Sequence, residues 1–219
     1  MPLDTGKMIV KCHPYGFKSF MIVGGRGIGK STYALIVLYE VFLSLGYSKV
    51  DSWNNALDSC KFHISDVIQF LRESTLSDNP YPVLLWDDLG VHASGTKYFL
   101  NMKQVDMLKA TLDTIRTAIS GLIMTCPNPH GLLSVLRHYD DYQIAITYST
   151  KGGHYRNATA YKWRTLPSGK RLISTQYRDQ FNCYIPNWVF KQYMKGRRKA
   201  LITTLDTLGK GMKTDKEEK

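Results

Sequence analysis

The stretch GGRGIGKS, residues 24–31, matches the pattern G-x-x-x-x-G-K-[ST] in full. The residues before it, 19–23, form a short apolar run typical of a buried strand, and an apolar pattern with helical spacing follows over residues 31–45. In such a strand–loop–helix unit the glycines let backbone N–H groups surround phosphate oxygens, and the start of the helix adds positive potential. The stretch therefore predicts a binding site for the phosphates of a nucleoside triphosphate.

Two side chains of this loop have expected roles. Lys30 would reach the β- and γ-phosphates, and the Ser31 hydroxyl would ligate Mg²⁺. We therefore expect ATP and Mg²⁺ as the bound ligands. The residues predicted to contact the nucleotide are Gly24, Gly25, Arg26, Gly27, Ile28, Gly29, Lys30, Ser31 and Thr32.

A second apolar run, residues 83–86, leads directly into Asp87 and Asp88. We expect Asp87 to hold Mg²⁺, usually through water, and Asp88 to polarise the attacking water. Most ATPases with an acidic pair at this position have glutamate second, so the shorter Asp88 would be a slower base or would act through an intervening water. The alternative is that the pair only caps the following turn.

The order of predicted elements indicates a three-layer α/β/α core built on a parallel sheet. Apolar strands are predicted at 60–64, 121–124 and 143–147, and helices at 102–120, around 132–137, and after Ser65, which would cap its helix. Because ligands collect at the carboxyl ends of parallel strands, Gly29, Asp87, Asp88 and Thr125 should meet in one site. Thr125 would contact the γ-phosphate or the water, with Asn128 as the competing candidate.

The sequence divides into three parts by composition. Residues 1–150 carry the predicted ATPase core, and 151–208 form a basic extension, with strands at 157–165 and 171–176 around a turn at 166–170 and a helix from Pro186 to about Leu205. Residues 209–219 are polar and charged and are expected to be a disordered tail.

The positive charge of the chain lies in one segment. Residues 151–199 contain twelve lysines or arginines and a single acid, Asp179, whereas the other residues hold 17 basic and 17 acidic groups. Nine aromatic residues interleave with these charges, so the segment is suited to binding the phosphates and stacking on the unpaired bases of DNA. A basic surface that serves solubility, with half or more of the aromatics in the core, is the alternative. The predicted DNA contacts are Lys162, Arg164, Lys170, Arg171, Lys195, Arg197, Arg198 and Lys199.

Arg137 lies between a predicted helix and a predicted strand, as expected of an arginine that reaches the γ-phosphate of a neighbouring subunit. Arg116 is a second candidate, and a surface or DNA-contacting arginine is the alternative. An arginine acting in trans would require an oligomer.

Several other classes of site and location are not indicated. The four cysteines are widely spaced, and the six histidines show no metal-ligand spacing. No apolar run reaches the roughly 20 residues that span a bilayer, and no signal peptide is evident. The expected location is the cytoplasm, or the host cytoplasm for a viral or plasmid protein.

Three passages resemble the small AAA+ ATPases of the DnaA, DnaC and IstB group, within the additional-strand class of P-loop ATPases. They are the phosphate loop, the acidic strand LLWDDLG at 84–90, and LRHYDDY at 136–142, which is similar to the arginine-finger box of that superfamily. The resemblance covers the first 150 residues and implies ATP hydrolysis coupled to work on DNA, such as helicase loading, initiation or transposition support. Asp88 in place of glutamate, and a β-hairpin plus helix in place of a helical lid, depart from that group. The overall composition also resembles small ATPases of archaeal viruses and plasmids.

Three other functions remain open on the sequence. A DNA translocation or packaging motor of the FtsK or HerA kind would share the loop, the acidic strand and a β-rich extension. A small-molecule kinase would use the same loop but needs an arginine-bearing lid and an acceptor-binding carboxylate. A nucleotide-dependent switch would bind ATP and hydrolyse it poorly, as the shorter Asp88 allows.

Overall fold

The computed structural model describes residues 2–77, 79–89, 109–128, 142–165 and 171–217. The helices are α1 (Asp4–Cys12), α2 (Lys30–Ser44), α3 (Lys49–Asp58), α4 (Ile64–Leu76) and the last helix, α5 (Asn187–Glu217). Residues 109–114 are also helical and lead into a 3₁₀ turn, Ile115–Thr117. The strands are β1 (Lys18–Val23), β2 (Cys60–Lys61), β3 (Leu84–Trp86), β4 (Gly121–Cys126), β5 (Tyr142–Tyr148), β6 (Tyr155–Thr165) and β7 (Arg171–Asn182).

Over the described residues these strands form one sheet in the order β2-β3-β4-β1-β5-β6-β7. The first five are mutually parallel, whereas β6 and β7 pair antiparallel with their neighbours. The prediction of an α/β fold with a parallel sheet and a C-terminal β-hairpin is therefore confirmed. Because β1 lies between β4 and β5, the loop that follows it has strands on both sides.

Packing on the two faces of the sheet makes the core three layers deep. Alternate residues of β3 and β4, including Trp86 and Met124, share one buried cluster with Val67 and Leu71 of α4. Helix α2 packs against β1, β3 and β4. On the face of Gly121, α1 approaches so closely that a Cβ at that position would lie 2.9 Å from a methyl carbon of Ile9. Both faces of β4 are therefore buried, as its apolar residues Leu122, Ile123 and Met124 predict.

Local features of the fold differ from the sequence-based expectations. Helix α4 begins at Ile64 with His63 as its N-cap, so the prediction that Ser65 caps this helix is wrong: the serine lies inside the first turn. Helices α1 and α3 were not predicted. The last helix continues to Glu217, through most of the stretch expected to be disordered, because no proline interrupts that stretch and its lysines and methionine favour helix.

The chain forms two compact units, Met1–Tyr184 and Ile185–Lys219. The first contains the whole sheet, including the hairpin of β6 and β7 that the sequence analysis assigned to a separate extension. The second consists of α5 and the residues that lead into it. Charge and aromatic content change near residue 151, but the hydrogen bonds between β5 and β6 bridge that point, so the composition boundary is not a boundary between compact units.

Candidate nucleotide-binding site

The phosphate loop lies between β1 and α2, as its sequence predicts. Gly24, Gly27 and Gly29 have φ angles of 150°, 74° and 106°. Gly29 is the N-cap of α2, and a Cβ at this position would lie 2.8 Å from Sγ of Cys183. Position 29 therefore requires glycine both for its left-handed backbone and for the close approach of the chain beyond β7.

The Lys30 side chain is held inside this loop. Its Nζ donates hydrogen bonds to the carbonyl oxygens of Gly24 and Gly25, each at 2.8 Å, and the residue is 8% exposed. The ammonium group is thus positioned by the backbone of the loop that it serves. Phosphate oxygens entering the loop would meet a fixed positive charge.

Ser31 connects the loop to the acidic strand. Its hydroxyl donates to Oδ1 of Asp87 over 2.9 Å, and the Thr125 hydroxyl donates to the same oxygen. Trp86 and Met124 are register partners on β3 and β4, so Asp87, directly after β3, lies beside Thr125 of β4. Asp87 and Thr125 are fully buried. The fold therefore brings three of the predicted residues together across 94 positions of sequence.

Asp88 follows in an unusual backbone conformation. Its φ of 55° lies in the left-handed region, which aspartate tolerates better than most side chains. Its backbone N–H donates to the Thr125 hydroxyl over 2.9 Å. One buried hydroxyl thus bonds to both members of the acidic pair, to the carboxylate of Asp87 and to the backbone of Asp88.

The donor set suits Mg²⁺. The ion prefers oxygen ligands and usually retains several waters while taking one or two protein oxygens. The Ser31 hydroxyl and an Asp87 carboxylate oxygen, 2.9 Å apart, are of this kind. Among the described residues no cluster of three or more histidines, cysteines or acids could hold a metal ion by itself, so a divalent ion here would also need water and phosphate oxygens.

Arg156 is a residue of the site that sequence reasoning missed. Its Nε donates to the carbonyl oxygen of Ile28 in the phosphate loop over 3.2 Å, and its guanidinium carbon lies 4.5 Å from the centroid of the Tyr148 ring. Burial raises the pKa of the nearby Cys183 thiol, while Arg156 acts in the opposite direction. No local pattern marks Arg156, because the antiparallel pairing of β6 with β5 is what brings it to the loop.

The predicted DNA contacts are distributed over both units. In the first unit, Lys162 lies on β6 with its Nζ 5.4 Å from the Tyr142 ring, and Arg164 and Arg171 belong to paired strands. Lys170, and the side chains of Arg164 and Arg171, lie outside the described residues. In the second unit, the four predicted contacts are all exposed on α5: Lys195, Arg197, Arg198 and Lys199.

Basic residues can also stabilise the C-terminal end of a helix, and the position of this α5 cluster bears on that alternative. The cluster lies in the interior of a helix that ends only at Glu217, so its charges do not serve to stabilise a helix end.

The acid in the basic segment, Asp179, is buried. Its Oδ2 accepts a hydrogen bond from the Tyr33 hydroxyl at 2.6 Å, and its Oδ1 accepts one from the backbone N–H of Asp4 at 2.9 Å. The exposed charge of this segment is therefore almost wholly positive.

The remaining candidates are Arg137, Arg116 and Asn128. Arg137 lies outside the described residues. Arg116 is exposed in the turn that precedes β4, at the end of the sheet opposite the loop, and Asn128 is exposed two residues beyond β4. Of the competing candidates Thr125 and Asn128, Thr125 contacts both members of the acidic pair.

Two further expectations concern cysteines and membranes. The four cysteines, all within the described residues, form no disulfide. Among the helices of the described residues, none combines the length and the apolar character that crossing a bilayer requires.

Comparison with known sequences gives two relatives, both proteins of archaeal viruses. The chain is 30% identical over 217 residues to the uncharacterized protein B-251 of Sulfolobus spindle-shape virus 1, a match that covers 93% of this chain and 84% of that protein. It is 28% identical over 132 residues to the uncharacterized protein ORF286 of Acidianus two-tailed virus, covering 59% of this chain and 43% of that protein. No protein-family model matches the chain.

Two solved structures are similar to this one at low sequence identity. A solved ATPase domain matches with a TM-score of 0.45 and 10% identity, covering 78% of this chain and 86% of that one. The flagellar accessory protein FlaH from Methanocaldococcus jannaschii matches with a TM-score of 0.38 and 15% identity, covering 80% and 97%.

Proposed function

We propose that this chain, which belongs to the family of protein B-251 from Sulfolobus spindle-shape virus 1, binds and hydrolyses ATP and acts on DNA. The observation that carries the proposal is the hydrogen bond from Ser31 in the phosphate loop to Asp87 at the end of β3. It unites two sequence motifs, each of which a nucleotide hydrolase needs, in one buried polar centre. The fitting role is an AAA+-like one, in replication, initiation or helicase loading by a virus or plasmid.

Different residues of the chain would bind the phosphates, orient the attacking water and position the acidic pair. The loop backbone and Lys30 hold the β- and γ-phosphates, and Lys30 exchanges its bonds to Gly24 and Gly25 for bonds to phosphate oxygens. Asp88 orients and polarises the attacking water. Thr125 is a positioning residue, since its hydroxyl donor is already used on Asp87 and its oxygen accepts from the Asp88 N–H.

Mg²⁺ would be held by the Ser31 hydroxyl and, directly or through water, by Asp87. When bound, it neutralises the charge that develops on the phosphate oxygens.

Contact with DNA is assigned to the basic surface. The hairpin of β6 and β7 places Lys162 and the strands that carry Arg164 and Arg171 in the sheet of the ATPase core. The exposed cluster on α5 supplies a second set of positive side chains. Such side chains bind DNA mainly by neutralising phosphates, so the interaction should depend strongly on salt.

Turnover of ATP in the wild type and in Lys30→Ala, each with and without single- or double-stranded DNA, tests the proposal. DNA-stimulated hydrolysis that falls about 10²-fold or more in the variant is the expected result, because the lysine is the charge that faces the transferred phosphate. Lys49→Ala, at an exposed lysine of α3, is the matched control and should behave as the wild type. Phosphate transfer to a nucleoside without response to DNA would instead indicate a kinase, and tight ATP binding without turnover would indicate a switch.

A translocation or packaging motor of the FtsK or HerA kind is the second candidate. The observation that favours it is that the extension is β-rich and continuous with the core sheet through the pairing of β5 with β6. Displacement of a DNA triplex during ATP hydrolysis would support a motor. Hydrolysis that stays confined to a loading complex would favour the first candidate. For both candidate functions, an arginine supplied in trans requires an oligomer. Measuring the mass of the protein in solution with ATP and Mg²⁺ tests whether that oligomer forms.

A further inference from the structure

We propose that Tyr148 stacks on the base of the bound nucleotide, so that the end of β5 forms a base-binding subsite with a preference for purines. The inference rests on the proposed nucleotide-binding function and deepens it. Tyr148 is the last residue of β5 and its register partner on β6 is Arg156.

The Tyr148 ring is held on one side and open to solvent. The guanidinium carbon of Arg156 lies 4.5 Å from the ring centroid, which is the geometry of a cation–π contact and fixes the orientation of the ring. The residue is nevertheless 70% exposed. A large aromatic surface in this state costs little to bury against a planar ligand, because the ring is already ordered.

The same arginine connects this ring to the phosphate loop. Its Nε donates to the Ile28 carbonyl oxygen over 3.2 Å, so the ring, the guanidinium group and the loop form one continuous set of contacts. Two more of its hydrogen bonds, from an Nη atom to the carbonyl oxygens of Gly153 and Tyr155 at 2.8 Å, anchor the group to the β5–β6 connection. The position of the ring relative to the loop is thereby defined.

The expected orientation of the bound nucleotide directs its base toward the Tyr148 ring. Asp87 and Thr125 lie at the ends of β3 and β4, on one side of β1, whereas β5 and β6 lie on the other side. A nucleotide whose terminal phosphates face Ser31 and Asp87 extends its ribose and base away from them. The opposite side of the loop is where Arg156 and Tyr148 lie.

Other exposed tyrosines near the hairpin lack this connection. Tyr155 is 41% exposed with the Lys151 ammonium 5.5 Å from its ring, and Tyr184 is 77% exposed beside His154. Within the described residues, neither ring has a contact that leads to the phosphate loop through a single side chain. Tyr148 is therefore the ring best placed to meet the base, and its ring face rather than its hydroxyl is the interacting group.

The test compares ligands with and without a base. Dissociation constants of ATP, CTP and inorganic tripolyphosphate, each with Mg²⁺, are measured for the wild type, Tyr148→Ala and Tyr148→Phe, with Tyr155→Ala as the matched control. In Tyr148→Ala we expect ATP to bind about tenfold more weakly than in the wild type. The affinity for CTP should decrease less, and the affinity for tripolyphosphate should not change. Tyr148→Phe and Tyr155→Ala should bind ATP as the wild type does.

Three results would overturn the inference. Equal weakening of ATP and tripolyphosphate in Tyr148→Ala would mean that the ring only supports the loop. Unchanged ATP affinity, or an equal loss in Tyr155→Ala, would mean that the base lies elsewhere. All of these leave the proposed nucleotide binding intact. A wild type that binds neither ATP nor tripolyphosphate would contradict both the inference and the proposed function.

Discussion

At the scale of single residues, one buried hydroxyl organises the candidate site. The Thr125 hydroxyl donates to the Asp87 carboxylate and accepts from the Asp88 backbone N–H. The Ser31 hydroxyl donates to the same Asp87 oxygen. The two aspartates thus have different environments although they are neighbours in sequence. Asp87 is buried and directed to the loop, whereas Asp88 is partly exposed with its backbone in the left-handed region.

Replacing Asp88 with asparagine should separate catalysis from binding. Asparagine has the same shape and also tolerates a φ of 55°, so the backbone should be preserved, but it cannot accept a proton. We expect kcat for ATP to fall about 10²-fold or more, with a Kd for ATP within about twofold of the wild type. Steady-state turnover and equilibrium nucleotide binding check this, and unchanged kcat would remove Asp88 from the reaction.

The role of Thr125 is tested by a matched pair of substitutions. Thr125→Val keeps the shape but leaves the Asp88 N–H and one Asp87 interaction unsatisfied, whereas Thr125→Ser keeps the hydroxyl. The valine variant should lose about 10- to 100-fold in Mg²⁺-dependent turnover and about 1–3 kcal/mol of unfolding free energy. The serine variant should retain most of both. Equal activities in the two variants would show that the hydroxyl is not needed.

At the scale of elements, α1, α2 and β7 are joined by a buried polar network. The Tyr33 hydroxyl on α2 bonds to Thr5 of α1 at 2.6 Å and to Asp179 of β7 at 2.6 Å, and Thr5 also bonds to the Tyr177 hydroxyl. Burial raises the pKa of Tyr33, so this hydroxyl keeps its proton over the physiological pH range and can donate it. The network anchors the hairpin to the helix that starts at the phosphate loop.

The free energy of unfolding should depend on pH through Glu40, a residue of α2 that is bonded to the chain just before α1. The Leu3 N–H donates to Oε2 of this residue at 2.6 Å, but burial dominates and raises its pKa above 4.5. The folded protein therefore holds this proton more tightly than the unfolded chain, and the stability contributed by Glu40 falls as pH rises from about 4.5 through its raised folded pKa.

Urea unfolding of the wild type and Glu40→Gln over a series of pH values measures this contribution. The decrease in unfolding free energy with rising pH should be absent from the Glu40→Gln variant. It should be retained in the control Glu73→Gln, at an exposed glutamate of α4. Parallel pH profiles for the wild type and the Glu40 variant would contradict the assignment.

At the scale of the whole molecule, charge is segregated between a neutral majority and a basic segment. The acid of that segment, Asp179, is buried in the network with Tyr33, so the exposed charged side chains among the segment's described residues are lysines and arginines. A surface with this composition attracts polyanions over distances of about a Debye length, 8–10 Å at moderate salt.

Neutralising part of this surface should weaken DNA binding in a salt-dependent way. For the triple change of Arg197, Arg198 and Lys199 to glutamine, the slope of log K against log salt should decrease by up to about three. The matched control changes three exposed basic residues of the neutral region, Lys11, Lys49 and Arg72, to glutamine. Binding curves at several salt concentrations measure both slopes, and equal losses in the two triples would contradict a DNA-binding role for the α5 cluster.

The phosphate loop, β3 and the pairing of Asp87 with the loop were predictable from sequence because each depends on a short pattern with strict spacing. Glycines, a lysine and a serine at fixed intervals determine the loop, and four apolar residues before two acids mark a strand end. The order of such elements along the chain was enough to predict a parallel sheet.

The positions of Arg156, Tyr148 and Asp179 depended on the tertiary structure alone. They follow from the register between β5 and β6 and from the packing of β7 against α1, which join residues far apart in the chain. Register is decided by the summed packing and hydrogen bonding of whole strands, and no local sequence pattern encodes that sum. The fold therefore determined which arginine reaches the phosphate loop and that the acid in the basic segment would be buried.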